Sequence, residues 1–286
     1  MQNDFRLRAD ISVIRDKTPI RFVHNKTMDK PEHHVLHLNN YVEIYIYVSG
    51  NHNYIVGNNL YELKPGDIVV INPLEVHKAL PMGETPYERF YFLIDCDTFD
   101  CMHPNPLTGI LSKPSDTGNL ISLDRGTRHE VLDMLYQISD CFREGRDDQL
   151  RAFGYFMRIL DEINRHFKGV CPSDSDITQT PDLLKKILTY VEKHAAQIES
   201  ITEISTSIGV TPQYLSSYFS RQIGTPLKTY IQAKKIALAK DLLDKGADVT
   251  RACYECGFND CSYFIRVFKK YVGMTPMSYK KGKLCE

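Results

Sequence analysis

Apolar and polar positions alternate strictly along "YVEIYIYVSG", residues 41–50. Val42, Ile44, Ile46 and Val48 fall on one face, and Tyr41, Glu43, Tyr45 and Tyr47 on the other. That is the period of a β-strand. Similar short runs, among them "DIVVINP" and "YERFYFLID", recur between residues 19 and 100, separated by Gly, Pro and Asn. Pro65-Gly66 suits the centre of a type II turn, whose third position needs a positive φ. The pattern predicts a small β-barrel or sandwich. The period then changes. Val131, Leu135, Ile138 and Phe142 form one helical stripe, and Leu150, Phe153, Met157, Leu160, Ile163 and Phe167 a second, with "REGRDD" between them. Two such helices could pack on the barrel or on a second copy of the chain. The expectation here is that they form a dimer interface.

The polar stretch "GVCPSDSDITQTP", residues 169–181, has linker composition. Beyond it the chain is helical. "SITE" at 200–203 reads as a capping box. Thr-Pro at 211–212, 225–226 and 275–276 reads each time as an N-cap followed by Pro at the first helical position. The predicted fold class is α+β. Residues 1–168 form a barrel-like domain with two helices, 169–181 a linker, and 182–286 an all-α domain.

The all-α part repeats itself. Tyr214, Leu215, Phe219 and Gly224 each stand 49 residues before Tyr263, Phe264, Phe268 and Gly273. Each copy reads as a short helix, a Gly-bearing turn and a longer helix: 201–208 then Pro212 to Ile223, and 249–256 then about Cys261 to Val272. That is the helix-turn-helix unit. Leu215, Tyr218 and Phe219 face inward in the first longer helix, and Phe264, Val267 and Phe268 in the second. The outward face of the first carries Gln213, Ser216, Ser217 and Arg221, after Thr211 at its start. That of the second carries Ser262, Ile265, Arg266, Lys269 and Lys270. Arg pairs with guanine and Gln with adenine, while Ser and Lys hold phosphates. A helix of about 19 residues joins the copies and spans roughly 28 Å. Recognition helices ~34 Å apart enter successive major grooves on one side of a duplex, so one chain can read two grooves without dimerising. A helical bundle with solvated polar faces is the alternative.

Charge adds to this picture. The net charge of −1 conceals an asymmetry: residues 182–286 carry 16 Lys and Arg against 10 Asp and Glu, and the remainder 19 against 26. A basic third on an acidic body points to a polyanion partner for that third. No run of about 18 apolar residues occurs, so no membrane span is expected. The charged amino terminus lacks the apolar core of a signal peptide, which makes the cytoplasm the expected compartment. With no signal peptide, the eight Cys are not expected to form a disulfide framework. Cys253 and Cys256 form a C-x-x-C pair with no second pair and no nearby His, and are expected to pack in a core.

Residues 183–281 closely resemble the DNA-binding domain of AraC/XylS transcriptional regulators. The resemblance rests on "GFNDCSYFIRVFKKYVGMTPMSY" and on "TPLKTYIQAKKIALAKDLL", where Lys235 stands in place of the family's usual Arg. "HLNNYVEIYIYVSG" and "LKPGDIVVINPLEVH" resemble the cupin-type sensing domain that many members carry. The resemblance implies a sequence-specific regulator that binds double-stranded DNA at a promoter operator and is controlled by a small-molecule effector. RNA polymerase is a further candidate partner, and a homodimer is expected. His37, Glu43, Tyr45, His77 and Tyr91 are the candidate effector residues. Carboxylate, imidazole and aromatic rings together suit a hydroxyl-rich ligand such as a sugar. The competing interior face is Val42, Ile44, Ile46 and Val48. No catalytic residue, metal or cofactor is assigned, because His34-x-x-His37 before Glu43 departs from the metal-cupin spacing. Two other classes remain open. A metal-cupin enzyme with a DNA-binding tail would need an intact ligand set. A Cys-dependent DNA-repair protein would need a nucleophilic thiol among Cys96, Cys101, Cys141 and Cys171, none of which has electropositive neighbours in sequence.

Overall fold

The structure, a computed structural model, describes residues 5–28, 36, 41–73, 75–82, 85–112, 118–169 and 181–284. The strands are β1 (Phe5–Ile11), β2 (Ile20–Met28), β3 (Val42–Ser49), β4 (His52–Val56), β5 (Asn59–Glu62), β6 (Ile68–Ile71), β7 (His77–Pro81), β8 (Pro86–Ile94) and β9 (Leu120–Ile121). They form two sheets rather than one closed barrel. Six strands run in the order β1-β2-β8-β3-β6-β9 and three in the order β5-β4-β7. The chain passes from β5 of the small sheet to β6 of the large one through Pro65-Gly66. The Asp67 amide donates to the Lys64 carbonyl at 2.9 Å, and Gly66 has a φ of 90°, the type II turn expected from sequence.

Both faces of β3 are buried, each against a different layer. Val42, Ile44 and Ile46 share an apolar cluster with Phe90 and Phe92 of β8 and with two helices, α2 (Arg125–Cys141) and α3 (Gln149–Gly169). Tyr45 and Tyr47 share the opposite cluster with Val69 and Ile71 of their own sheet and Tyr54, Val56, Tyr61 and Ala79 of the small sheet. The tyrosine face is therefore the interior between the sheets. A short helix, α1 (Thr108–Leu111), adds Ile110 to the helix-side core.

The stripes of α2 and α3 thus lie on their own sheet. Val131, Leu135, Ile138, Leu160 and Ile163 are buried within the chain, so these positions of the two stripes cover the sheet, whereas Leu150 of the second stripe is 75% exposed. An apolar stripe cannot show by its period which surface covers it. A buried polar network fastens α2 further. His24 bridges Ser139 of α2, at 2.9 Å, and Glu88 of β8, at 2.8 Å. The Tyr136 hydroxyl donates to the same carboxylate at 2.9 Å. With the His24 hydrogen bond as the largest cause, the Glu88 carboxyl is held down at about 2.

The remaining helices are α4 (Asp182–His194), α5 (Ile201–Ile208), α6 (Pro212–Ile223), α7 (Leu227–Asp244), α8 (Val249–Glu255), α9 (Cys261–Val272) and α10 (Pro276–Leu284). They enclose a core of Leu184, Leu188, Leu215, Phe219, Ile236, Phe264 and Phe268. The Ser200–Glu203 capping box starts α5, and Thr211 caps α6 through the Tyr214 amide. At 225–226 the expectation fails: the cap of α7 is Pro226, with no side-chain hydrogen bond, and the Thr225 hydroxyl is engaged elsewhere. Cys253 and Cys256 are buried, and burial pushes both thiols up to about 12. They pack as core residues.

Candidate nucleic-acid interface and sensor interior

The paired long helices α6 and α9 are built alike. Each begins at a side-chain cap: Thr211 Oγ1 accepts from the Tyr214 amide at 3.3 Å, and Asp260 accepts from the Tyr263 amide at 2.9 Å. Each ends at a left-handed glycine, Gly224 or Gly273. Leu215 and Phe219, and Phe264, Val267 and Phe268, are buried. On α6, Thr211, Gln213, Ser217 and Arg221 are exposed, while Ser216 is half-buried. On α9, Ser262, Ile265, Arg266, Lys269 and Lys270 are exposed. The sequence-assigned DNA residues therefore gather on two outward faces, with Thr211 also engaged as a cap.

Two aromatic residues were missed. Tyr214 is 48% exposed and Tyr263 is 37% exposed. Tyr214 stacks on Tyr218 with centroids 5.9 Å apart. The Arg266 guanidinium lies 5.7 Å from the Tyr263 ring centroid, and Gln232 of α7 hydrogen-bonds the Tyr263 hydroxyl. Sequence reading noted both Tyr as repeat partners but did not place them on the outward face. A groove of about 680 Å³ between the two units is lined by Ser200, Lys228, Gln232, Asn259, Tyr263 and Arg266, among others. Glu199 and Asp260 line it too, so it is the amides and the Lys228 and Arg266 cations within it that suit a phosphate backbone. Lys235, which stands in place of the family's usual Arg, also lines this groove. It is buried and donates to the carbonyls of Ile198 at 2.9 Å and Gly257 at 2.7 Å, tying the two helix-turn-helix units together. Gly257 sits so close to Ala196 that a Cβ would lie 1.9 Å from its carbonyl oxygen, so the junction admits only glycine there.

Four of the five assigned effector residues meet between the sheets; His37 lies outside the described residues. Glu43, Tyr45 and Tyr91 share the inner face of the large sheet, with Tyr45 directly opposite Tyr91. His77 enters from β7. Its Nε2 donates to Glu43 Oε2 at 3.2 Å and its Nδ1 faces the Glu75 carbonyl at 2.8 Å. Burial alone would lower its pKa, but the Glu43 charge and both hydrogen bonds outweigh that and raise it. Two acceptors on two ring nitrogens favour the imidazolium. The Tyr54 ring stacks on His77 at 6.4 Å and packs against Tyr45 at 4.7 Å. Burial pushes the Tyr45 hydroxyl up to about 12. Arg89, absent from the sequence assignment, also points inward. Its guanidinium lies 5.7, 5.1 and 5.5 Å from the rings of Tyr45, Tyr87 and Tyr91. The alternation of Tyr87, Arg89 and Tyr91 along β8 was the available signal.

Residues 28–160 match the AraC-like ligand binding domain, and residues 204–282 match a helix-turn-helix domain. The chain belongs to the AraC family of transcriptional regulators. Its helical half is the DNA-binding domain and its two-sheet half the ligand-binding domain. It is 26% identical over 233 residues to the uncharacterized HTH-type transcriptional regulator YbfI of Bacillus subtilis, covering 79% of this chain and 80% of that protein. It is 32% identical over 131 residues to the transcriptional activator RhrA of Rhizobium meliloti, covering 44% of this chain and 40% of RhrA. Relatives from Staphylococcus aureus are 23% identical, and the matched region spans only 29% of their length. Among solved structures, ToxT of Vibrio cholerae aligns over 91% of this chain and 97% of its own at 16% identity, with a TM-score of 0.38.

In this AraC-type regulator the two halves touch through the small sheet. Inward-facing Tyr54, Val56 and Ala79 line the interior. Outward-facing Ile55 and Leu80 join the core of the DNA-binding domain. Lys78 is buried and donates to the Gly224 carbonyl at 2.8 Å and the Thr225 hydroxyl at 2.9 Å, at the carboxyl end of α6. A cation is favoured at that end of a helix dipole. The Tyr230 hydroxyl of α7 donates back to the Gly57 carbonyl at 2.8 Å.

Proposed function

We propose that the protein binds a two-part promoter operator through both helix-turn-helix units and that a small-molecule effector, held between the two sheets, controls that binding. The supporting observation is the position of β7. His77 on this strand faces the interior, and the next residue, Lys78, holds the end of α6, which carries the first recognition face. Any effector that displaces His77 from Glu43 moves the strand that grips the DNA-binding domain. Tyrosine walls with hydroxyl, carboxylate and imidazole groups suit a hydroxylated metabolite of the sugar type. The protein acts on double-stranded DNA in the cytoplasm, and promoter activation through RNA polymerase belongs to the same reading.

A dimer is not needed for it, since one chain carries both reading units. Dimerisation through α2 and α3 is then carried only by the part of their surface that the sheet leaves uncovered, and a monomer in sedimentation at tens of micromolar would count against it. A dimer at that concentration would mean that the outer faces of α2 and α3, where Leu150 is 75% exposed, associate. The coupling itself is tested with Glu43→Gln and His77→Ala. Both are expected to lose effector response in a promoter–reporter assay while still binding operator DNA. A parental response in both variants would place the effector elsewhere.

A further inference from the structure

Among the described residues, Arg89 is a half-buried cation in the ligand-binding half with no carboxylate at ion-pair distance. Its Nε is buried without a hydrogen-bond partner among them. The Tyr45 hydroxyl lies beside the guanidinium, whose charge and contact with it oppose the effect of burial on that hydroxyl. A desolvated, unpaired guanidinium is costly, and proteins ordinarily pair such groups. Three tyrosine rings around it offset only part of that cost. Nor is the surrounding layer sealed. On the same inner face Tyr45, Val69 and Ile71 are fully buried, but Glu43, Arg89 and Tyr91 stay partly accessible to water.

The charges fix what would bind there. The Glu43 carboxylate is already paired with the His77 imidazolium at 3.2 Å. Lys78 points out of the interior to Gly224. The buried Glu75 carboxylate accepts from the Asn72 amide at 2.7 Å and the Asn119 side chain at 2.9 Å, so among the described residues the Arg89 guanidinium has no anion at ion-pair distance, which suits a small monoanion. The planar fork of Arg matches a carboxylate through two parallel hydrogen bonds. Around it stand the hydroxyls of Tyr45 and Tyr87 and the amide of Asn25, which donates to the Tyr87 hydroxyl at 3.3 Å. These suit a hydroxylated body.

We propose that the effector is a small organic monocarboxylate with a hydroxylated body, a sugar acid in chemical class, and that its carboxylate pairs with Arg89. This rests on the effector reading above and makes it more specific. A neutral sugar would leave the guanidinium as it stands.

The test is thermal melting of the full chain and of Arg89→Met. Sodium acetate is the minimal carboxylate, compared with sodium chloride at equal ionic strength. D-galacturonate is compared with D-galactose. At saturating carboxylate the parent is expected to melt about 2–4 °C higher than in the matched control, and Arg89→Met not to shift. Without ligand, Arg89→Met is expected to melt at or above the parent, because an unpaired buried charge is gone. The proposal is overturned if neither acetate nor galacturonate shifts the parent, or if the variant shifts equally. It is also overturned if Arg89→Met alone melts well below the parent, which would make the guanidinium structural. Operator binding is measured alongside. Arg89→Met binding DNA as the parent does confines any failure to the ligand, whereas a parent that binds no operator counts against the regulator reading itself.

Discussion

Arg266 and Lys235 are both basic side chains of the DNA-binding half, and their surroundings give them opposite tasks. Arg266 is exposed and braced against the Tyr263 ring, so its fork is held toward solvent midway along α9. Arg266→Ala is expected to cost about 1–3 kcal/mol of operator affinity and to relax preference at one base position. Equal loss on every operator variant would reduce it to a phosphate contact. Lys235 has its ammonium between two backbone carbonyls. Lys235→Met strands both acceptors and is expected to cost about 1–3 kcal/mol of folding stability, read by urea unfolding. Sequence alone could not separate the two. Both lie on helices at positions where the family places basic groups, and only the packing of α7 against the Gly257 turn turns one of them inward.

Glu88 makes a third case, with a pH signature. Its carboxyl is held at about 2 against an ordinary 4.5 by His24, Tyr136 and Lys26. A depressed carboxyl stabilises the fold above its unfolded value, and that contribution fades as pH falls from about 4.5 toward 2. The shift corresponds to about 3 kcal/mol. In Glu88→Gln the drop in stability across that acid range is expected to flatten, as followed by denaturant unfolding at a series of pH values. A variant with the parent's acid profile would contradict it.

At the scale of elements, the helix-turn-helix units were legible because their signals are local. Caps, turn glycines and the 49-residue recurrence fix α5, α6, α8 and α9 nearly to the residue. The sheet was less so. Strand β1, "FRLRADI", reads as a charged terminus because it sits at one edge of the large sheet with its polar side outward. Strand β3 could not reveal which face is the interior, since both its faces are covered, one by helices and one by the small sheet. The contact between the halves was not readable at all. Lys78 looks like an ordinary polar strand residue until the end of α6 is placed against it. Lys78→Met is expected to loosen that contact, giving faster hydrogen exchange in the last turn of α6 and at Thr225. Unchanged exchange there would show that Ile55, Leu80 and Tyr230 hold the halves together without it.

At the scale of the molecule the layers run in order: α2 and α3, the six-stranded sheet, the tyrosine-lined interior, the three-stranded sheet, then α6 and α7. The sensing interior is one strand's thickness from the first recognition helix, which gives the proposed control a short physical path. Charge divides the same way, with the basic residues of α6 and α9 on the far side of that path. The central claim is that both units engage DNA together. An operator selected from random duplexes, footprinted and titrated across salt concentrations, tests it most directly. The account predicts protection of two adjacent major grooves on one face, and a log–log salt slope that steepens by about −0.9 for each phosphate held by Arg221, Lys269, Lys270 and their neighbours. Protection of a single groove, or a slope near zero, would contradict it.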